Sequence, residues 1–359
     1  MQFELNLYER VLRNTRKVPL YNLLDIMKSK PFTVLGICGA QGALLFPLKD
    51  HLIGNVEPRG VFHTPKEEQW RANFDRIPFE RDLSRFEKAK VDVIIGSPNC
   101  GHSSVFSYSR KKTLGKPRED ASLNLFVESI KKFNPQVFLC ENLPKLLDMI
   151  PLENWELLLP GYSFIVHCDS VMAWGNSQKS RKRMLLIGIR KDCKQYKNLF
   201  EGVFRVAKPL KVGELSKKVR KELNYRENPD KVLAMYDSRK PGKKNLTVEE
   251  VRKLWKTDFR DEKKWPMPGT KMKTLPGVYR NREDEYPMTV RPSSRQFNPK
   301  GRIMGLEEYR VIMGFPESFK IYFDERRKGY WLNKGRVTLT KGAVYEMGVW
   351  FQQCLEKSF

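Results

Sequence analysis

A cysteine, two carboxylates and a glycine-rich turn each stand at the end of an apolar run in this 359-residue chain. Residues 33–37 lead into Cys38-Gly39-Ala40-Gln41-Gly42. A second run, within residues 55–62, carries Glu57. Residues 91–95 (VDVII) lead into Ser97-Pro98-Asn99-Cys100-Gly101, and residues 136–140 (QVFLC) into Glu141-Asn142. A deprotonated cysteine is the most nucleophilic common side chain and can add to an electrophilic carbon. A carboxyl group beside the reacting atoms can share a proton as charge develops. A glycine-rich turn lets a nucleotide-like cofactor approach the backbone, and an acidic side chain ending a second strand can accept both ribose hydroxyls. Taken singly the features are weak, because a glycine pair after a strand is most often a turn and a lone cysteine a small buried hydrophobe.

What gives them weight is the element pattern that must position them. The four runs and a fifth at 184–189 (MLLIGI) read as strands, with helical stretches such as 121–132 between them. Apolar runs alternating with helices predict an α/β fold built on a mostly parallel sheet. In such a sheet ligands bind beyond the carboxyl ends of the strands, which would bring the four loaded groups to one edge. Residues 1–30 read as a helical lead-in and 343–355 as a closing helix.

The chain carries 67 Lys plus Arg against 42 Asp plus Glu, a formal charge of +25. Such an excess attracts polyanions, nucleic acid first among them. Apolar content of 40% predicts a packed globular protein. No apolar run reaches the ~18–20 residues of a membrane span, and the charged beginning of the chain does not read as a signal peptide, so an intracellular protein of cytoplasm or nucleoid is expected. None of the six cysteines lies in a C-x-x-C pair, so no metal is expected. Between about 191 and 288 basic residues crowd together with Tyr, Trp and Pro between them, as in KKVRKE and SRKPGKKN. This reads as a smaller module for surface contact, with Lys217, Lys218, Arg220 and Lys221 as candidates to meet phosphates.

Over about residues 33–190 and 289–355 the ordered series resembles the motifs of the DNA cytosine-C5 methyltransferases. That family implies a Rossmann-like fold binding S-adenosyl-L-methionine, with a second, smaller target-recognition domain. By the resemblance, Ile37 takes the place of a Phe lying against the cofactor, and Cys38, Gly39 and Gly42 form the turn beneath it. Glu57 is implied for the ribose. QWRANFDRIPFERDL resembles a Tyr-x-x-Asn-Phe segment followed by the Asp of the adenine site, which points to Asp82. GSPNCGHSS resembles the nucleophile loop, with Pro98 one place early, Asn99 where the family has Pro, and Ser103 or Ser104 as its closing Ser. Cys100 is thereby the nucleophile for cytosine C6. Glu141-Asn142-Leu143 matches Glu-Asn-Val and puts Glu141 at N3 of the base, leaving Asp148 as surface charge. QKSRKRMLLIG resembles Gln-x-Arg-x-Arg. Arg181 is then the candidate for cytosine O2 and a nearby phosphate, Arg183 a brace between loops, and Lys179 replaces the Gln. Arg302-Ile303-Met304, Glu308 and Met313-Gly314-Phe315-Pro316 resemble the late bracing motif, and Lys341-Gly342-Ala343-Val344 stands where the family has Gly-Asn-Ala-Val.

The expected enzyme has a catalytic lobe of residues 1–190, rejoined by 320–359, and a basic recognition lobe of 191–319. It would act as a monomer on double-stranded DNA, flipping its cytosine out of the stack. A tRNA cytosine-C5 methyltransferase and a non-catalytic DNA-binding relative are the rivals. A third alternative concerns the donor. Lys341 near the methionine end of the cofactor would favour a carboxylated group, making carboxy-S-adenosyl-L-methionine an alternative to the ordinary methyl donor.

Overall fold

A computed structural model describes residues 31–39, 42–58, 63–99, 121–226, 278–290, 295–299 and 303–359. The expected lead-in helix of residues 1–30 lies outside them.

Seven strands form one sheet: β1 (Val34–Ile37), β2 (Leu52–Val56), β3 (Phe79–Glu80), β4 (Val93–Gly96), β5 (Val137–Asn142), β6 (Tyr162–Ser170) and β7 (Lys182–Arg190). Their spatial order is β3-β2-β1-β4-β5-β7-β6. The pairs β1–β2, β1–β4, β2–β3 and β4–β5 are parallel, whereas β7 runs antiparallel to both β5 and β6. The central strands β1, β4 and β5 are buried throughout. That is what continuous apolar runs such as VLGI and VIIG require when both faces of a sheet are covered. The α/β class and its mostly parallel sheet are as the sequence implies. Two strands escape the sequence reading, β3 and the half-exposed edge strand β6. The second strand begins and ends earlier than the expected 55–62.

The covering helices are α1 (His63–Phe74), α2 (Ala121–Phe133), α3 (Lys145–Met149), α4 (Leu152–Leu158), α5 (Val212–Lys217), α6 (Leu306–Ile312), α7 (Lys328–Thr340) and α8 (Tyr345–Glu356). One apolar core joins Phe126 and Ile130 of α2, four residues apart on one helix face, to Ile37, Ile94 and Phe138. The other joins Val34, Ile95 and Leu185 of the sheet to Trp350 and Phe351 of α8.

That second core also contains Phe200, Leu215, Val290, Met304, Leu306 and Phe319. These residues of 191–319 pack in the same core as Val34 and Leu185 of the sheet. Here the chain departs and returns side by side. Val212 N–H donates to Glu285 O at 2.8 Å and Gly213 N–H to Glu283 O at 2.9 Å. A separate two-stranded parallel pair, β8 (Val278–Arg280) with β9 (Arg295–Phe297), flanks this return in the chain. Among the described residues no helix is long and apolar enough to cross a membrane.

Candidate active site

The strand order reverses between β1 and β4, and this is where an open parallel sheet leaves a crevice at its carboxyl edge. Cys38 and Gly39 follow β1, Glu57 follows β2, Ser97-Pro98-Asn99 follow β4, and Glu141-Asn142 end β5. These groups converge on a cleft of about 650 Å³ including its open mouth, lined by Cys38, Glu57, Lys66, Ser97, Pro98, Asn99, Ser122, Glu141, Asn142, Arg183, Lys341 and Gly342. Gly39 and Ala343 line a small adjoining cavity that Ser97 shares.

The turn after β1 is built by constraint. Cys38 takes φ 57° and Gly42 φ 83°, both left-handed. A Cβ at Gly42 would lie 2.5 Å from the Phe74 ring, so both the backbone conformation and the space demand glycine. Gly39 N–H donates to Asn55 Oδ1 at 3.0 Å, so a buried polar residue inside β2 anchors the turn. Glu57 is buried, and Lys66 of α1 reaches its Oε2 at 2.8 Å.

At the other side Glu141 is held at both oxygens. Arg183 Nε lies 2.9 Å from Oε1, and Ser97 Oγ donates to Oε2 at 2.5 Å. The carboxylate is 2% exposed and its guanidinium partner 12%, so the charge pair sits in a largely dry wall. Such a pair holds its geometry because breaking it would leave an uncompensated buried charge. Pro98 O accepts from Asn142 Nδ2 at 3.2 Å, and Asn99 N–H donates to Ser122 Oγ at 2.8 Å.

The two arginines stand in different surroundings. Arg181 is buried, with Nη1 donating to Val290 O at 2.8 Å and Nη2 to Thr340 O at 3.2 Å and Gly342 O at 2.5 Å. Arg183, two residues on, faces the cleft and its carboxylate. The backbone path explains the difference: Arg181 precedes β7 at the point where the chain meets residues 290 and 340–342, while Arg183 stands on β7 near Glu141 of the adjacent β5.

The remaining expected residues divide. Lys341, Pro98 and Cys38 line the cleft. Ile37 does not, being fully buried in the sheet core because it is the last residue of a strand covered on both faces. Asp82 lies two residues beyond β3 on the same edge but outside the cleft lining, where its Oδ1 accepts from Ser84 N–H at 2.9 Å. Arg220 is not a free surface cation: Nε donates to Glu307 Oε2 at 2.9 Å and Nη1 to Glu317 O at 2.9 Å. Lys217, Lys218 and Lys221 are exposed, and Lys179 pairs with Glu285 at 3.5 Å. Cys100, Ser103 and Ser104 lie outside the described residues. Lys66, Ser97, Ser122 and Asn55 were not legible as site residues. Only Asn55 left a trace, a polar residue beside an apolar run.

Comparison with known proteins places this geometry. A family model described as C-5 cytosine-specific DNA methylase matches residues 68–331. No curated protein matches in sequence. Among solved structures, a DNA modification methyltransferase encoded within an E. coli prophage superposes with TM-score 0.59 at 15% identity, over 90% of this chain and 99% of that one. The Entamoeba histolytica methyltransferase EhMeth gives 0.58 at 13% identity, over 92% and 99%. The S. pombe Dnmt2 methyltransferase gives 0.53 at 14% identity, over 91% and 99%. At such identities the likeness is one of fold.

Proposed function

The chain belongs to the C-5 cytosine-specific DNA methylase family, and from that premise we propose that it methylates C5 of a cytosine flipped out of duplex DNA, with Cys100 as covalent nucleophile. The observation that supports this reading best is the doubly held Glu141 in one cleft with Glu57 and Lys341, at the root of the Cys100 loop.

The cleft fits S-adenosylmethionine. A buried carboxylate, Glu57, follows β2 and is placed to accept from a ribose. Gly39, Glu57, Pro98 and Ala343 would hold the cofactor, with Asp82 at the same edge for its base. When bound, the cofactor supplies an electrophilic methyl group.

The protein's own part is to make cytosine react. C6 of the base is a poor electrophile. The Cys100 thiolate adds there, the S–C6 bond forms, and the former C5–C6 π electrons make C5 nucleophilic. Glu141 shares a proton at N3 and so stabilises the electron-rich adduct. Arg183 holds the carboxylate, and we assign to it, in place of Arg181, the donation toward cytosine O2. After transfer, loss of the C5 proton lets the thiolate leave. The exposed Lys217, Lys218 and Lys221, with the basic stretch inside 191–319, would meet DNA phosphates.

The test is covalent capture. A duplex carrying 5-fluorocytosine should yield a denaturant-stable adduct with the wild type and none with Cys100→Ala, because fluorine blocks the final elimination. An adduct that survives in Cys100→Ala removes the assignment. Label accepted by RNA and refused by duplex DNA would change the substrate.

A second reading has one observation in its favour: Lys341 lines the cleft together with Lys66. A lysine there can bind a carboxylate on the transferred group, so carboxy-S-adenosylmethionine is the alternative donor. Offering both cofactors in competition and weighing the product base decides it. Only 5-methylcytosine, with Lys341→Asn leaving the ratio unchanged, excludes the carboxymethyl reading.

A further inference from the structure

Ser97 occupies an unusual place. It follows β4 directly at the switch point of the sheet, three residues before Cys100. Its N–H donates to the carbonyl of Ile37, the last residue of β1, at 3.3 Å. Its hydroxyl donates to Glu141 Oε2 on β5 at 2.5 Å, and it lines both the main cleft and the small cavity of Gly39 and Ala343. One residue therefore ties the strand beneath the cofactor turn, the strand beneath the nucleophile loop and the carboxylate. The next two residues repeat the pattern, through Pro98 O to Asn142 and Asn99 N–H to Ser122.

A short O–H···O⁻ bond to a buried carboxylate is strong and directional. Here it does what Arg183 alone cannot. Arg183 binds Oε1, and a single contact leaves a carboxylate free to rotate about its last bond. Two contacts on different oxygens, from two different strands, fix the plane of the group. Each oxygen keeps a further lone pair for a ligand. A hydroxyl suits Oε2, because it can donate to the carboxylate and turn to accept when that oxygen is protonated.

We propose that Ser97 is a positioning residue of the methyl-transfer reaction: its hydroxyl, together with Arg183, sets the plane of the Glu141 carboxylate. This rests on the function proposed above. It assigns Ser97 no contact with cofactor or base. Its effect falls on the chemical step, with binding unaffected.

The experiment is single-turnover transfer to a defined duplex, with cofactor dissociation constants measured by calorimetry on the full chain. Ser97→Ala is expected to slow transfer roughly ten- to hundredfold, the loss of one hydrogen bond to a charged group. The cofactor dissociation constant should stay within about twofold, and Ser97→Thr, which keeps the hydroxyl, should recover most of the rate. In a Glu141→Gln background the additional effect of Ser97→Ala should fall below about twofold, since it acts through that carboxylate. Four results overturn the inference: an unchanged rate in Ser97→Ala, a full effect in the Glu141→Gln background, no recovery in Ser97→Thr, or a loss of cofactor affinity and melting temperature that accounts for the rate. A wild type that leaves cytosine unmodified overturns the function and the inference together, whereas a methylating wild type with an indifferent Ser97 overturns the inference alone.

Discussion

The two ends of the cleft solve one electrostatic problem differently. Each places a buried carboxylate at the carboxyl end of a parallel strand, and each pairs it with one cation at nearly the same distance, 2.8 Å for Lys66–Glu57 and 2.9 Å for Arg183–Glu141. At the Glu57 end the partner is a lysine on a helix, a point charge on a flexible stem that a ligand can displace. At the Glu141 end it is a planar guanidinium on β7, the strand next to β5, with Ser97 holding the second oxygen. Under the proposed function, the contrast would separate a site that exchanges a ligand each turnover from one whose geometry is ready when charge develops.

The largest test of this contrast exchanges the carboxylates for amides. Glu141→Gln should lower the single-turnover rate by about 10³-fold while cofactor affinity stays put. Glu57→Gln should do the reverse, weakening cofactor binding by about tenfold with the saturated rate nearly intact. Both variants acting on the same parameter would collapse the distinction.

Next come the arginines. Arg183→Lys should cost about 10²-fold in rate with little change in unfolding midpoint, since a lysine cannot reproduce the planar contact. Arg181→Lys should cost about 2–4 kcal/mol of stability in urea titration, because buried carbonyls of residues 290, 340 and 342 lose donors. A rate defect in Arg181→Lys without a stability defect would restore it to the chemistry.

A smaller effect sharpens the claim that Lys66 yields. Lys66→Met removes the 2.8 Å ion pair to a buried carboxylate, so the melting temperature should drop. With the displaced lysine gone, the cofactor should bind about fivefold more tightly by calorimetry. Weaker binding would mean that Lys66 itself holds the ligand.

The smallest expected effect on turnover lies outside the cleft. Burial pushes the Glu346 carboxyl up from 4.5 to about 7, only partly offset by the Asn176 amide at 3.0 Å. Raised in the fold, this acid is protonated there while ionised in the unfolded chain. Stability should therefore fall as pH rises from about 4.5 to 7, by at most ~3 kcal/mol, and level off above. Denaturant midpoints of Glu346→Gln should lose that slope while turnover stays the same.

Much of the frame was legible because parallel, doubly covered strands must be written as unbroken apolar runs. The strands ending at Ile37, Gly96 and Asn142, and the chemical groups after them, follow from that rule. The edge strand Tyr162–Ser170 was not legible, since one open edge admits His167 and Asp169 and the run dissolves into alternation. The second strand was misplaced because Gly54 and Asn55 interrupt its apolar signal, although Asn55 is there to hold Gly39. Arg181 and Arg183 share a spacing of two, which places them on one face without saying which lies deeper. Lys66 and Ser97 act through contacts 9 and 44 residues away in the chain, and no local pattern announces those.

The side-by-side departure and return at Val212–Glu285 and Gly213–Glu283 has a consequence for descent. Two backbone bonds there hold the chain's points of departure and return side by side, so an insertion or deletion between them need not move the cleft. The span between them and the cleft can then diverge at separate rates. Lineages could trade that span for another, much as a tool changes its bit, while the cleft goes on unaltered.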